Sequence, residues 1–342
     1  MVEREVIRRI IIEGQEFVNE ISLTERPFFF EQKGNYVFVG IRQAGKSYLL
    51  YQRIQQLLRE EHNINEIVYI NFDDERLRQM TADDLDLILQ AYHSLFDLRP
   101  LLFFDEIQNI EGWEHFARRL ANQKYNIYIT GSNAKMLSRE IATTLGGRFW
   151  NKDVYPYSFA EYLNARDIIL SKNWMYGKQA AEVSKAFNDY FLYGGFPELT
   201  DVIAKRVWLN DIYSKIFFSD LIVRNKVRNE EALGLLVRRL AENVKQPVSY
   251  TRLANLISSI GIKISKATVI EFIRYLKESC LIFPIENYAA KFAERNSNMK
   301  HYFIDNGLLS IFLLDGNTSL LENIVAIHLY KSCLLYTSDA AD

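Results

Sequence analysis

Apolar positions along the 342-residue chain change their period near the middle. Over residues 3–21, Ile7, Ile11, Val18 and Ile21 fall on one helical face and charges fill the other. Pro27 ends that region. Residues 36–39 (YVFV) read as a short apolar strand running into Gly40. A helix starting near Lys46 turns Leu50, Ile54, Leu57 and Leu58 inward. Residues 66–72 (EIVYINF) predict a strand, 82–95 a helix, and 101–104 (LLFF) a fully apolar strand. A helix over 112–122, a strand over 126–130 (NIYIT) and a helix over 134–144 follow. A fifth strand after Arg148 is closed by Val154 and Tyr155. Strands alternating with helices imply an α/β fold, a parallel sheet covered on both faces.

Past Pro156 the strand signals stop. Residues 159–243 read as helices, broken by Gly194-Gly195-Phe196-Pro197. Residues 249–305 read helix, turn, helix and two short strands. The first helix (251–258) carries Leu253, Leu256 and Ile257, and Gly261 makes the turn. Ser265 caps a second helix with Val269, Phe272, Ile273 and Leu276. A hairpin over 281–286 and 300–304 holds Lys291, Arg295 and Lys300. This is a winged helix-turn-helix pattern. Its presumed recognition helix sets Lys266, Arg274 and Lys277 against Glu271 and Glu278, which favours a protein contact over DNA reading. The apolar helix at 320–332 is expected to pack on something.

Composition narrows the class. Hydrophobic residues at 49% and charged residues at 25% are an ordinary globular balance, which excludes a disordered, collagen-like or coiled-coil chain. The length suits two or three domains. Cys280 and Cys333 lie far apart, which excludes a disulfide scaffold or a cysteine zinc site and suits a reducing cytoplasm. The five histidines show no metal-ligand spacing. No run of about 18 apolar residues predicts a membrane span. Glu3, Arg4, Glu5, Arg8 and Arg9 leave no signal-peptide core. The net charge of −2 is uneven. Residues 1–200 hold 23 Lys/Arg against 28 Asp/Glu, whereas 205–300 hold 17 against 9. The shift suggests a boundary near residue 200 and permits a nucleic-acid or acidic partner for the second half.

The chemistry concentrates after the first strand. Gly40-Ile41-Arg42-Gln43-Ala44-Gly45-Lys46-Ser47 fits G-x-x-x-x-G-K-[ST], and the loop through Tyr48 forms the expected nucleotide cradle. Its glycines let backbone N–H groups face phosphate oxygens, and the following helix adds the positive end of its dipole. Lys46 can reach the β- and γ-phosphates, and Ser47 can ligate Mg²⁺. At the end of the apolar strand, Asp105 would hold Mg²⁺ through its water shell, and Glu106 would orient and deprotonate the attacking water. Ser132, after Gly131, either faces that water or, with Asn133, caps a helix. Arg148, with Arg139 as competitor, is the candidate for stabilising transition-state charge, in cis or across a subunit contact; a solvated surface arginine is the alternative.

Together these residues resemble a large bacterial and archaeal family of AAA+-type ATPases. The segments are Gly40–Ser47 with Leu49-Leu50, Asp105-Glu106-Ile107-Gln108 with Gly112-Trp113-Glu114, Thr130-Gly131-Ser132, Gly147-Arg148, Tyr155-Pro156-Tyr157-Ser158-Phe159 and Gly194–Pro197. Asn133 departs from the serine more usual there, which leaves the sensor assignment open. The resemblance implies an additional-strand P-loop core over 27–158 after an N-terminal helix (1–26), a helical lid (159–246) and a winged helix (247–306). It further implies the start of a restriction-endonuclease-like domain from 307 to 332. Residues 333–342 resemble sequencing-adapter read-through, so the natural chain is expected to continue differently. The leading expectation is an ATP hydrolase whose turnover moves the lid and winged helix. The alternative is a nucleotide-gated module with little turnover, binding DNA or a protein. Glu106 speaks against a small-molecule kinase, which needs no water-activating carboxylate. A homo-oligomer is compatible with both.

Overall fold

The computed structural model describes residues 3–286, 299–314 and 316–339. The chain divides into two compact units. One comprises residues up to Gly40 together with Gly45–Val154. The other comprises Ile41–Ala44 together with the chain from Tyr155 onward.

The first unit is a five-stranded parallel sheet between helices. Its elements are α1 (Arg4–Glu20), β1 (Tyr36–Val39), α2 (Lys46–Arg59), β2 (Ile67–Asn71), α3 (Asp86–His93), β3 (Leu101–Asp105), α4 (Trp113–Asn122), β4 (Ile127–Gly131), α5 (Arg139–Leu145) and β5 (Trp150–Asp153). Strand order is β2-β3-β4-β1-β5, with every neighbour parallel. β4 thus lies between β1, which enters the glycine-rich loop, and β3, which ends in the acid pair.

Alternation within buried strands builds the core. Phe103, Tyr128 and Tyr36 share one row across β3, β4 and β1 and stack, with centroids 4.7 and 5.8 Å apart. The Tyr128 hydroxyl accepts from Arg53 Nε of α2 at 3.2 Å, which satisfies a polar tip inside an apolar layer. α1 buries Ile7, Ile11 and Val18, and its Gln15 donates to the Ile67 carbonyl of the edge strand β2.

Four boundaries differ from expectation. The fifth strand ends at Asp153 rather than at Tyr155. Val154 N–H still bonds Val39 O, but Pro156 brings no N–H to continue a ladder. The helices expected over 82–95 and 134–144 each begin as a 3₁₀ turn, Ala82–Asp84 and Ala134–Leu137. The charge shift near residue 200 falls inside the second unit. Charge reports surface composition, whereas packing sets the division.

The second unit is mainly helical. It runs α6 (Phe159–Ala165), α7 (Gln179–Tyr193), α8 (Lys205–Lys215) continuing as a π-helix (Ile216–Val223), α9 (Glu230–Glu242), α10 (Tyr250–Ser259) and α11 (Lys266–Glu278). The antiparallel pair β6 (Ile282–Ile285) and β7 (Lys300–Phe303) follows, then α12 (Asn306–Ser310) and α13 (Asn317–Asp339). Lys291 and Arg295 lie outside the described residues. The apolar helix expected at 320–332 is α13; it buries Leu320, Ala326 and Ile327 and leaves Leu321, Val325 and Leu329 about half exposed. Among the described residues no helix is long and apolar enough to cross a membrane.

A buried polar knot ties this unit together. The Asp305 carboxylate accepts from Gly195 N–H and Gly307 N–H, both at 2.8 Å. A side chain at Gly194 would overlap that carboxylate. Asn323 of α13 accepts from Phe303 N–H and donates to Phe303 O and Asn306 Oδ1. Asn306 in turn donates to the carbonyls of Phe191 and Leu320. Burial pushes the Asp305 carboxyl up to about 6, while its backbone N–H partners pull the other way. Its folded value thus exceeds the unfolded one, so folding favours the protonated form. Stability contributed at low pH should be lost as pH rises from about 4 to about 6, by about 3 kcal/mol. Denaturation of wild type and Asp305→Asn across that window checks this; the slope should flatten in the variant.

Candidate functional site

The site lies where β1, β3 and β4 end. Gly40 follows β1 with no room for a side chain: a Cβ there would overlap the Val154 carbonyl oxygen. Gln43 and Gly45 take positive φ values of 61° and 91°. These curl the loop back on itself so that Lys46 starts α2. No side chain caps that helix start. The positive end of the helix dipole thus faces the loop.

Lys46 is 4% exposed, and its Nζ lies 3.4 Å from Glu106 Oε1. Asp105, the last residue of β3, is 1% exposed. It accepts from the Tyr69 hydroxyl at 2.8 Å, from Thr130 Oγ1, and from the Ser47 hydroxyl. Burial pushes the Asp105 carboxyl above its ordinary range, the neighbouring Glu106 charge adds to this, and the three donors oppose it. Tyr69 is spent on Asp105, so the Tyr51 hydroxyl, 2.9 Å away, donates to Tyr69. Burial raises both phenols, that of Tyr51 to about 12.

Thr130 ties the two carboxylates to one strand end. While its hydroxyl donates to Asp105, it accepts from Glu106 N–H at 2.9 Å. Glu106 itself sits at φ 52°, a left-handed conformation that costs a non-glycine residue energy and recurs at functional sites. Glu106 Oε2 accepts from Gln108 Nε2 at 2.5 Å.

The structure thus gathers Gly40, Gly45, Lys46, Ser47, Asp105, Glu106 and Ser132 at one sheet edge. Ser132 is 1% exposed, and its Oγ lies 3.4 Å from Gln108 Nε2. Asn133 instead caps the 3₁₀ turn by accepting from Lys135 N–H. Tyr48 is half exposed and packs edge-on to Tyr51. Ile41 and Ala44 are buried. Arg42 spends its side chain on Asp220 of the π-helix through two bonds of 3.1 and 3.0 Å, and Arg224 adds a third at 2.9 Å.

Arg148 is not brought to this edge within the chain. It precedes β5, at the end of the sheet opposite the loop, and Asn35 Nδ2 bonds its carbonyl. Its guanidinium is exposed and bonds Gly146 O. Of the two expected modes, in cis or across a subunit contact, the position at the start of β5 does not bring Arg148 to the loop of its own chain. Arg139 begins α5, and its side chain lies outside the described residues. Sequence reasoning named Thr130 and Gln108 only as members of recurring segments and gave no role to them or to Tyr69 and Asp220, which reach their partners only through the fold. A polar residue ending a buried strand, as Thr130 nearly does, was the one available signal.

The donor set fits a magnesium-bound nucleotide. Among the described residues no cluster of three or more His, Cys, Asp or Glu could hold a metal alone. Ser47 and Asp105 offer two oxygens, and Mg²⁺ habitually takes the rest from phosphate and water.

Residues 32–163 match the AAA domain family and residues 184–319 a domain of unknown function, DUF8612. The uncharacterized protein MJ1544 of Methanocaldococcus jannaschii is 31% identical over 338 residues, covering 97% of this chain and 75% of that one. An uncharacterized Haemophilus influenzae protein is 31% identical over 303 residues, covering 86% and 74%. Among solved structures, the Walker-type ATPase PABY2304 of Pyrococcus abyssi aligns with a TM-score of 0.51 at 14% identity, covering 91% of this chain and 96% of that one.

Gly40→Ala should weaken binding of ATP by roughly five- to a hundredfold, the equivalent of about 1–3 kcal/mol of overpacking displaced into the loop. Titration with a fluorescent ATP analogue checks this; unchanged affinity would show that the loop does not need this close approach.

Proposed function

The chain belongs to one family with MJ1544 and carries an AAA domain over residues 32–163, and we propose that it is a Mg²⁺-dependent ATP hydrolase of the P-loop, AAA+ class. One observation carries the reading: Glu106, an acid with no need to lie beside a phosphate merely to bind it, is held within 3.4 Å of the loop lysine. Loop N–H groups and Lys46 would bind the β- and γ-phosphates. Ser47 and Asp105 would hold Mg²⁺, which supplies charge neutralisation on the phosphates. Glu106 would take the proton of the attacking water, and Ser132, buried beside Gln108, would face the same space. Arg148 contributes in this scheme only from another copy of the chain, since its own loop lies at the opposite sheet end. Turnover would move the helices of the second unit.

Lys46→Ala should weaken ATP binding. Glu106→Gln should keep binding and lose about 10²–10⁴-fold in turnover, the size of a general-base effect. Phosphate release and nucleotide titration separate the two, and equal hydrolysis by wild type and Glu106→Gln would sink the role of Glu106. Turnover too slow to measure in wild type, with binding intact, would favour the nucleotide-gated module.

For the second unit we favour a protein-contact role for α10, α11 and the β6–β7 pair, read as a winged helix. On α11, Arg274 is flanked by Glu271 at 3.6 Å and Glu278 at 3.9 Å, so its charge is largely answered locally. Duplex DNA should therefore bind weakly, with affinity falling steeply as salt rises. A salt titration of duplex binding checks this; sequence-specific, salt-resistant binding would make α11 a base reader.

A further inference from the structure

We propose that Gln108 is a positioning residue: its side-chain amide fixes the Glu106 carboxylate for attack of water on the nucleotide. The inference rests on Glu106 being the base.

The two oxygens of Glu106 face different donors. Oε1 lies against Lys46 Nζ, and Oε2 accepts from Gln108 Nε2. The two donors differ in what a nucleotide does to them. Lys46 is drawn to phosphate charge, which releases Oε1 for a water proton. Gln108 carries no charge and stays where the turn puts it, so Oε2 and the carboxylate plane remain anchored. A base held by one oxygen and open at the other has a defined direction, which proton transfer in the transition state requires.

Three features show that the amide is seated for this bond. It rides on the 3₁₀ turn Ile107–Asn109, directly after the left-handed Glu106. That turn is pinned by fully buried Ile107 and by Asn109, whose amide bonds Asp73 Oδ1 and Phe72 O. Next, the amide fits over Gly131. A Cβ at 131 would overlap both Gln108 Oε1 and Met136 Sδ, so the absent side chain makes the notch. Finally, Gln108 Oε1 is buried without a hydrogen-bond partner. An amide free to choose would not leave its acceptor unpaired. Turning it over would set oxygen against the Glu106 carboxylate, so the bond to Glu106, reinforced by the 3.4 Å approach to Ser132 Oγ, dictates the orientation.

The test uses the full chain with Mg²⁺ and ATP, reading phosphate release, the KM for ATP and the pH profile of kcat. Gln108→Met keeps the volume over Gly131 and removes the donor. It should lower kcat about ten- to a hundredfold, the cost of a misdirected catalytic group, with KM within about twofold. Loss of a donor to a carboxylate raises its affinity for the proton, so the acid limb of the kcat profile should move up by about one pH unit. Gly131→Ala, which evicts the amide, should give the same changes, and the double variant should be no worse than either single one. Wild-type kcat and acid limb in Gln108→Met would overturn the inference, as would a fall in kcat with an unmoved limb and a matching rise in KM. Glu106→Gln separates this from the reading beneath it. If that variant is as active as wild type, the base assignment fails and this inference with it. If it is inactive while Gln108→Met is unaffected, only the inference fails.

Discussion

A carboxylate buried at the end of an apolar strand is the constraint from which the site follows. Asp105 closes a run of four buried hydrophobics and is itself 1% exposed. Left alone, such a charge would be driven to neutrality. The fold answers with donors from three elements: Tyr69 of β2, Thr130 of β4 and Ser47 of α2. These donors dictate neighbouring choices. Tyr69 needs Tyr51 behind it. Thr130 must sit one residue short of the end of β4, which sets the register against β3 and β1. Even so, burial still raises the carboxyl.

How much was legible in the sequence depends on whether a function is local along the chain. The glycine-rich loop is local: eight consecutive residues supply the turn, the N–H groups and the lysine, so Gly40, Lys46 and Ser47 could be named from their order. Asp105 and Glu106 were legible because their acid pair ends a fully apolar strand that follows the glycine-rich loop; without that loop an acid pair after a strand is a weak signal. The five parallel strands were legible because hydrophobic runs alternate with helical periodicity. Tyr69, Thr130 and Gln108 were not, because their roles exist only after β2, β3 and β4 lie side by side. Arg148 shows the converse. Its nearness to a strand was readable, but which end of the strand it occupied decided its relation to the loop.

The recurrent motifs of the second unit have a different physical content. In the sequence Gly194-Gly195 is a break between helices and part of a recurring segment. In the structure the Gly195 N–H and the empty space at Gly194 serve an internal anion, the Asp305 carboxylate. Around that carboxylate Asn306 and Asn323 satisfy the backbone of β7 and of two helices. This is the chemistry of an anion site turned inward to hold a helical unit together. Recurrence of a glycine pair therefore signals backbone approach to an anion, without saying whether that anion is a ligand or the chain itself.

The same accounting explains why the loop contributes a side chain to the second unit. Asp220 is 3% exposed on a π-helix and faces two guanidiniums, Arg42 and Arg224. A buried acid with its partners removed is strongly unfavourable, so the cluster persists as a unit. Arg42 occupies the loop, between Ile41 and Gln43, and any change in the loop's backbone moves one of the three members. The bidentate geometry of a guanidinium on a carboxylate tolerates little rotation. The acid it holds lies on a π-helix, an element whose wider turn is uncommon and recurs at functional sites. The paired bonds of Arg42 therefore tie the loop crest to the π-helix within one unit.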